Sequence, residues 1–357
     1  MKTAILFLLL FFGRWAASSG GELPVKFYKN VEVLGLAYLI GFHGPELEAD
    51  AGKKDLYPIA WRHFTEYRRF AQSPNLRASL GVADHLWLDY LIAFLLQVGE
   101  FPHARLTPEI PESAYLQFSL KNDKKEARTR ATLFLEGLNA FYAEMDFERY
   151  WKKEAPVYEA AAREVEAHFP GDAIVFSIET FYRKKQGSYA LVPSLTLPAG
   201  MGFGIGREVN GKIAIVNVFG PVSRQNADSQ GFSDSQRIRD LTIHEFSHPF
   251  ANPGIDAQLS TDIAETEKHY ESIRDVMTNQ GYITWKACLY EYFVRAGEVV
   301  IARQSGREED ARRLLDYHMR ERKFAHLPVV VDVLSRYART PSMSYADAVK
   351  QVLDKWK

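Results

Sequence analysis

Residues 240–253 read Asp240-Leu-Thr-Ile-His244-Glu245-Phe-Ser-His248-Pro249-Phe-Ala-Asn-Pro253, and the spacing inside this stretch decides how the rest of the chain is read. On a helix, positions i and i+4 lie on one face about 6 Å apart, so His244 and His248 bring both imidazoles to one ion. Zinc takes histidine nitrogens at about 2.0–2.1 Å and wants four ligands, one of which stays open to water in a catalytic site. Glu245, adjacent to the first imidazole, projects beside the metal rather than onto it. There it takes a proton from an activated water and delivers it to a leaving amine. The plain alternative is a helix with two solvated histidines. Leu241, Ile243, Phe246 and Phe250 surround the motif, however, and argue for a largely buried helix, where unpaired imidazoles are costly. Pro249 is expected to end or kink this helix, which is predicted to cover about 235–249.

The third ligand must come from elsewhere. A metzincin extension requires Gly at 251 and His at 254, but the chain has Ala251 and Gly254. A thermolysin-like spacing falls near Lys268, flanked by Glu265, Glu267 and Glu271, in a polar stretch that reads as a solvated helix face. Glu291 is the better candidate. It interrupts Trp285-Lys-Ala-Cys-Leu-Tyr-Glu-Tyr-Phe-Val294, an otherwise nearly apolar helix, and a carboxylate buried there needs a cation. Arg295, one turn on, is placed to hold its second oxygen; an ordinary Glu291–Arg295 helical pair is the competing explanation, and Glu298 on the same face is a lesser competitor as ligand. For the oxyanion of a tetrahedral intermediate, Tyr270, Tyr282, Tyr290 and His269 are the available donors, with Tyr282 the nominal choice. His43, His63, His85, His103, His168, His318 and His326 read as ordinary surface or packing residues.

The segment 244–253, followed further on by Tyr290-Glu291-Tyr-Phe-Val-Arg295-Ala, resembles an uncharacterised bacterial family, classed as a domain of unknown function and grouped with zinc peptidases of the gluzincin type. The likeness extends more weakly to Val31-Glu32-Val33-Leu34 and Gly202-Phe-Gly-Ile-Gly206. It implies a zincin-like fold in which His244, His248 and a downstream glutamate bind Zn2+ and Glu245 is the base. Pro249 stands where the family prefers Ser, outside the metal shell. In zincins a sheet edge near the metal accepts an extended peptide as an added strand, and the glycine-rich 202–206 stretch with 212–219 is where that edge is sought, an ordinary hairpin being the other reading.

Outside the motif, the texture splits the chain. Residues 21–170 recur at helical spacing, as in Trp61, Phe64, Tyr67 and Phe70, with Pro45, Pro58, Pro74 and Pro102 as punctuation and Pro170-Gly171 as a stop. Residues 171–357 are expected to form the catalytic region. A small antiparallel sheet is predicted over 173–220, from runs at Ala173–Ile178, Tyr189–Leu197 and Lys212–Phe219, the last joined to Phe203–Val209 by Asn210-Gly211 turn chemistry. A helical part follows over 255–357. The predicted class is therefore α+β, mainly helical, with a small sheet and one active-site helix.

Composition bounds the function. The 357 residues are 46% hydrophobic and 25% charged, globular values. Lys and Arg number 44 against 45 Asp and Glu, so no nucleic-acid footprint exists, and the basic run from Arg303 to Lys323 is interspersed with acids. A single cysteine, Cys288, excludes an intrachain disulfide and a multi-cysteine zinc site. Met1-Lys-Thr, the apolar run Ala4–Phe12 and the small-residue stretch after it have the layout of a secretory signal peptide cleaved near Ser18, so residues 1–20 are expected to be removed, no stable membrane span remains, and the destination is periplasmic or secreted. The expectation is an exported zinc metallopeptidase acting on a peptide or protein substrate. The alternatives are a non-catalytic envelope binding protein with a structural or vestigial metal site, and a hydrolase of non-peptide amides.

Overall fold

Val31, Val33, Leu34 and Leu36 leave no apolar surface to solvent, so the first helix, α1 (Lys29–Tyr38), is buried all round, as its apolar composition requires. The computed structural model describes residues 23–169, 171, 173–209 and 211–357; the signal segment expected at 1–20, Pro170 and Asn210 lie outside them. A π-helical turn over Leu39–His43 leads from α1 into α2 (Gly44–Ala49). Then come α3 (Ala51–Leu56), α4 (Pro58–Tyr67), α5 (Pro74–Ala83) and α6 (Leu88–Leu95). Proline at the first position of α4 and α5 and at the second of α2 is tolerated at low cost, because an N–H in the first turn has no partner within its own helix. The long pair α7 (Lys124–Glu144) and α8 (Phe147–His168) closes the helical N-terminal part. Asp123 caps α7 by accepting from Glu126 N–H.

Ala173–Ile178, expected to be a strand, is instead the start of α9 (Ala173–Tyr182). Ile174, Ile178, Phe181 and Tyr182 are its buried residues, spaced i, i+4, i+7 and i+8. A short apolar run carries no period of its own, and the helical face emerges only when Phe181 and Tyr182 are included. Strands β1 (Ser188–Pro193), β2 (Gly202–Val209) and β3 (Lys212–Phe219) follow, in the order β1-β3-β2. The hairpin is as expected: Val209 pairs with Lys212, and Gly211 sits at φ 73°, where glycine is favoured. The sheet is mixed rather than wholly antiparallel, because β1 runs parallel to β3. Direction in such a three-strand sheet depends on the path from β1 to β2, which turn chemistry does not encode. Residues 24–26 cover the outer edge of β1, with Lys26 N–H donating to Leu191 O at 2.9 Å and Leu191 N–H to Pro24 O at 3.0 Å. Among the described residues, no strand pairs with the outer edge of β2.

The remainder is helical: α10 (Ser235–Asp256), short α11 (Ser260–Glu265), α12 (Lys268–Glu271) and α13 (Arg274–Asn279), then α14 (Trp285–Gln304), α15 (Glu308–Arg320), α16 (Leu327–Arg339) and α17 (Tyr345–Trp356). One apolar cluster runs from α1 through the sheet to Trp356. The class is α+β, mainly helical with a small three-stranded sheet. Among the described residues, no single helix is long and apolar enough to cross a membrane.

A buried carboxylate joins the two parts. Glu32 of α1 accepts from Tyr158 Oη of α8 at 2.6 Å and from Thr196 Oγ1, just past β1, at 2.9 Å. Burial outweighs those bonds and lifts its carboxyl to about 7. Folding therefore favours the protonated acid. That contribution is complete below the ordinary value of 4.5 and is lost as pH rises through about 7. Glu32→Gln is expected to flatten the pH dependence of the melting temperature between pH 4.5 and 7, removing a slope of up to about 1.4 kcal/mol per pH unit, and to exceed the parent in stability at pH 8. Parallel pH–melting curves for the two proteins contradict this.

Candidate metal centre

Helix α10 is fixed at its start by Asp234, whose side chain accepts from Arg237 N–H at 2.9 Å. Its back face is core: Phe246 packs on Tyr189, and Phe250 stacks on Tyr182. Contrary to expectation the helix does not end at Pro249 but continues to Asp256, through a second proline at 253. Pro249 has no N–H to give to the carbonyl of Glu245, and β2 takes up the slack. Gly204 lies so close that a Cβ on it would run into the Glu245 carbonyl oxygen. A freed carbonyl facing a glycine Cα–H is a tolerable substitute for the missing bond. The alternate glycines of Gly202-Phe-Gly-Ile-Gly206 thus let strand and helix approach at backbone distance, a role their sequence showed only as a hairpin or substrate edge.

On the opposite face His244 and His248 turn their Nε2 atoms toward each other at 3.3 Å. Glu291, from α14, places one oxygen 3.5 Å from each: Oε2 from His244 and Oε1 from His248. These three side chains form a metal-capable group among the described residues. Donors held 2.0–2.1 Å from a common tetrahedral centre are about 3.3–3.4 Å apart, and the distances here, 3.3 Å between the imidazole nitrogens and 3.5 Å from each to a different oxygen of Glu291, are close to that spacing. Two imidazoles and one carboxylate also suit zinc chemically, and the fourth vertex has no protein donor within this group.

The groups behind the triangle hold it in shape. His244 Nδ1–H donates to Glu298 Oε1 at 2.5 Å, which frees Nε2 as a lone pair. Glu298 Oε2 receives His318 Nε2–H at 3.0 Å, and Arg295 faces His318 Nδ1 at 3.3 Å. Arg295 also donates to Glu291 Oε2 at 2.7 Å. The ring closes on itself: Glu291, Arg295 and Glu298 stand one turn apart on α14, with His318 of α15 between the last two. Glu298 is the partner of a ligand rather than a ligand. His318, read in the sequence as a packing residue, is 3% exposed and part of this ring; a histidine on α15 gives no local sign of what it meets across the core.

Charge states follow from burial and neighbours. Burial alone raises Glu291, but Arg295, His244 and His248 reverse it and hold the carboxyl at about 2. Burial lowers His248 to about 4. Burial also lifts Glu298, and His318 and His244 bring it well below the carboxylate range. Glu245 is different. It lies outside the triangle, buried, with Oε2 accepting from Gly204 N–H at 2.7 Å, and burial lifts its carboxyl to about 7.

Of the oxyanion candidates, the structure brings Tyr282 to the centre. Its hydroxyl accepts from Arg295 at 3.1 Å and from Arg322 at 3.3 Å. The other three are engaged elsewhere: Tyr270 donates to the Tyr282 carbonyl, Tyr290 to Asp256, and His269 faces the Trp356 carbonyl. Arg322 was read only as part of a solvated run.

A family model described as a domain of unknown function, DUF4932, matches residues 112–344, which include every residue of this centre. No curated protein and no solved structure matches the chain. The geometry itself makes a prediction. Glu298→Gln keeps the shape of the side chain but weakens its hold on His244 and His318. Metal affinity, read by competition with a chromophoric chelator, is expected to fall about 10–100-fold. Unchanged affinity removes Glu298 from the account.

Proposed function

The chain belongs to the DUF4932 family, and on that footing we propose that it is an exported, zinc-dependent metallopeptidase of the gluzincin type. One observation carries the reading. Among the described residues three side chains, and not four, can offer donor atoms to one ion, and a buried carboxylate outside that group, Glu245, stands beside them. A structural zinc site is closed by four protein ligands, whereas a catalytic one keeps a position free. This favours catalysis over a purely binding role.

His244, His248 and Glu291 would hold the ion, and Glu298, Arg295 and Asn252, whose Oδ1 faces His248 Nδ1 at 3.4 Å, would fix their orientation. Zinc bound there supplies Lewis acidity, polarising the scissile carbonyl and making a neighbouring water easier to deprotonate. Glu245 takes that proton and returns it to the leaving amine. Gly204 N–H anchors one carboxylate oxygen of Glu245, so the base does not swing into the ligand position. Tyr282 accepts two guanidinium N–H groups and its hydroxyl is within hydrogen-bonding reach of Glu291, so its polarised O–H would turn from that carboxylate to steady the developing oxyanion.

The open edge of β2 supports a peptide substrate over other amides. Val209 and Lys212 close the hairpin as a bonded pair, so Phe203, Ile205 and Arg207 bond to β3. Gly202, Gly204, Gly206 and Glu208 direct their peptide groups outward. Gly204 N–H reaching Glu245 has that outward direction. An extended peptide laid along this edge passes the base directly. The export reading is supported by the address-like first twenty residues.

Zinc-loaded protein is expected to cleave members of a mixed peptide library, monitored by mass spectrometry. Glu245→Gln is expected to retain one zinc per chain and to lose about 10²–10⁴-fold in rate. Full activity in the variant, or no cleavage by the metal-loaded parent, contradicts the proposal.

A further inference from the structure

Two guanidinium groups converge on the Tyr282 hydroxyl, and one of them has no counterion. Arg295 gives its Nη2 to Glu291 Oε2 at 2.7 Å and to the Tyr282 hydroxyl at 3.1 Å. Arg322, just past the end of α15, reaches the same hydroxyl with its own Nη2 at 3.3 Å. Among the described residues that is the one hydrogen bond its side chain makes, and no carboxylate is paired with it. The arginines before it differ: Arg313 is paired with Asp240 and Arg320 with Asp316. Arg322 is also partly withdrawn from water. Its Nε is buried with no acceptor, and Gln280 Nε2–H donates to its carbonyl at 3.1 Å, which fixes the turn that carries it.

A guanidinium offers five N–H donors in a fixed fork. In Arg322, Nη2 uses one hydrogen on Tyr282, and Nη1 has no acceptor among the described residues. The Nη1–Nη2 edge is therefore the uncommitted one, and two parallel N–H groups are what a carboxylate accepts bidentately. Nearer the metal triangle the charges are matched: Glu291 meets Arg295, and Glu298 meets His244 and His318. Arg322 alone in this group adds positive charge without an anion. Arg322, Tyr282 and both imidazoles are each partly reached by solvent, so none of them is sealed from a ligand.

The spacing relates this edge to the proposed chemistry. With the Tyr282 O–H turned to the oxyanion, Arg322 Nη2 stands 3.3 Å from the atom that bonds the scissile carbonyl. Successive residues of an extended peptide advance about 3.3–3.6 Å, so a carboxylate held by Arg322 belongs to a residue adjoining the scissile bond. We propose that Arg322 is a specificity-determining residue that receives a carboxylate of the substrate at that position. The inference rests on the peptide-hydrolase reading of the metal centre and adds its substrate class. Two sources offer the carboxylate: the free carboxyl terminus of the peptide, or an aspartate or glutamate side chain. An Arg322 that merely orients Tyr282 acts on all peptides alike.

Calorimetric titration of zinc-loaded Glu245→Gln protein reads binding without turnover. Four peptides of one extended sequence are compared: central glutamate or glutamine, each with a free or an amidated carboxyl terminus. At least one carboxylate form is expected to bind about tenfold more tightly than the amidated glutamine peptide, and the pattern identifies the source. Arg322→Gln is expected to erase the difference, while Arg320→Gln, in the exposed pair with Asp316, preserves it. Equal affinities, no binding of any peptide, or a preference that survives Arg322→Gln overturns the proposal, and so does an Arg322→Gln protein that weakens all four peptides equally. Library cleavage by the parent alongside equal affinities counts against this inference alone. A carboxylate preference lost in Arg322→Gln, without library cleavage, counts against the hydrolase reading alone.

Discussion

Glu291 is a carboxylate taken out of water on a nearly apolar helix, and the surroundings of the site are arranged to keep it charged. Desolvation by itself favours the neutral acid. Arg295, donating at 2.7 Å, and two imidazoles, each with Nε2 3.5 Å from a carboxylate oxygen, overturn that preference and keep the anion at the centre of the group. The same three side chains, His244, His248 and Glu291, are placed to share a divalent cation, which is the proposed occupant. The same demand sets the roles of α10 and α14, which cross so that two imidazoles from one meet a carboxylate from the other.

The rest of the fold supplies stiffness to that crossing. Glu298 binds His244 and His318 at once, so α10, α14 and α15 are tied through one buried carboxylate. On the other side β2 presses its glycines against α10. This contact places Glu245, the proposed base, since Gly204 both tolerates its bare carbonyl and anchors its side chain. The helical N-terminal part is joined through Glu32, Tyr158 and Thr196 to the segment after β1.

What could be read from the sequence was local. His244, Glu245 and His248 announce themselves by spacing, Glu291 by being a charge on an apolar helix, and the Val209–Lys212 hairpin by its turn. What could not be read depends on partners distant in sequence. Glu298 looks like any helical acid until His244 and His318 are seen on either side of it. Pro249 looks like a helix stop until a glycine strand shelters the carbonyl it leaves free. Ala173–Ile178 has the residues of a strand, and only its burial beside Phe181 and Tyr182 makes it helical.

The central claim is that two imidazoles and one carboxylate grip a divalent metal. X-ray absorption at the zinc edge of protein loaded with one equivalent of zinc tests it most directly. The account predicts a four-coordinate shell of nitrogen and oxygen at about 2.0–2.1 Å with outer-shell scattering from two imidazole rings. A sulfur ligand, a shell without imidazole, or failure to retain zinc after desalting contradicts it.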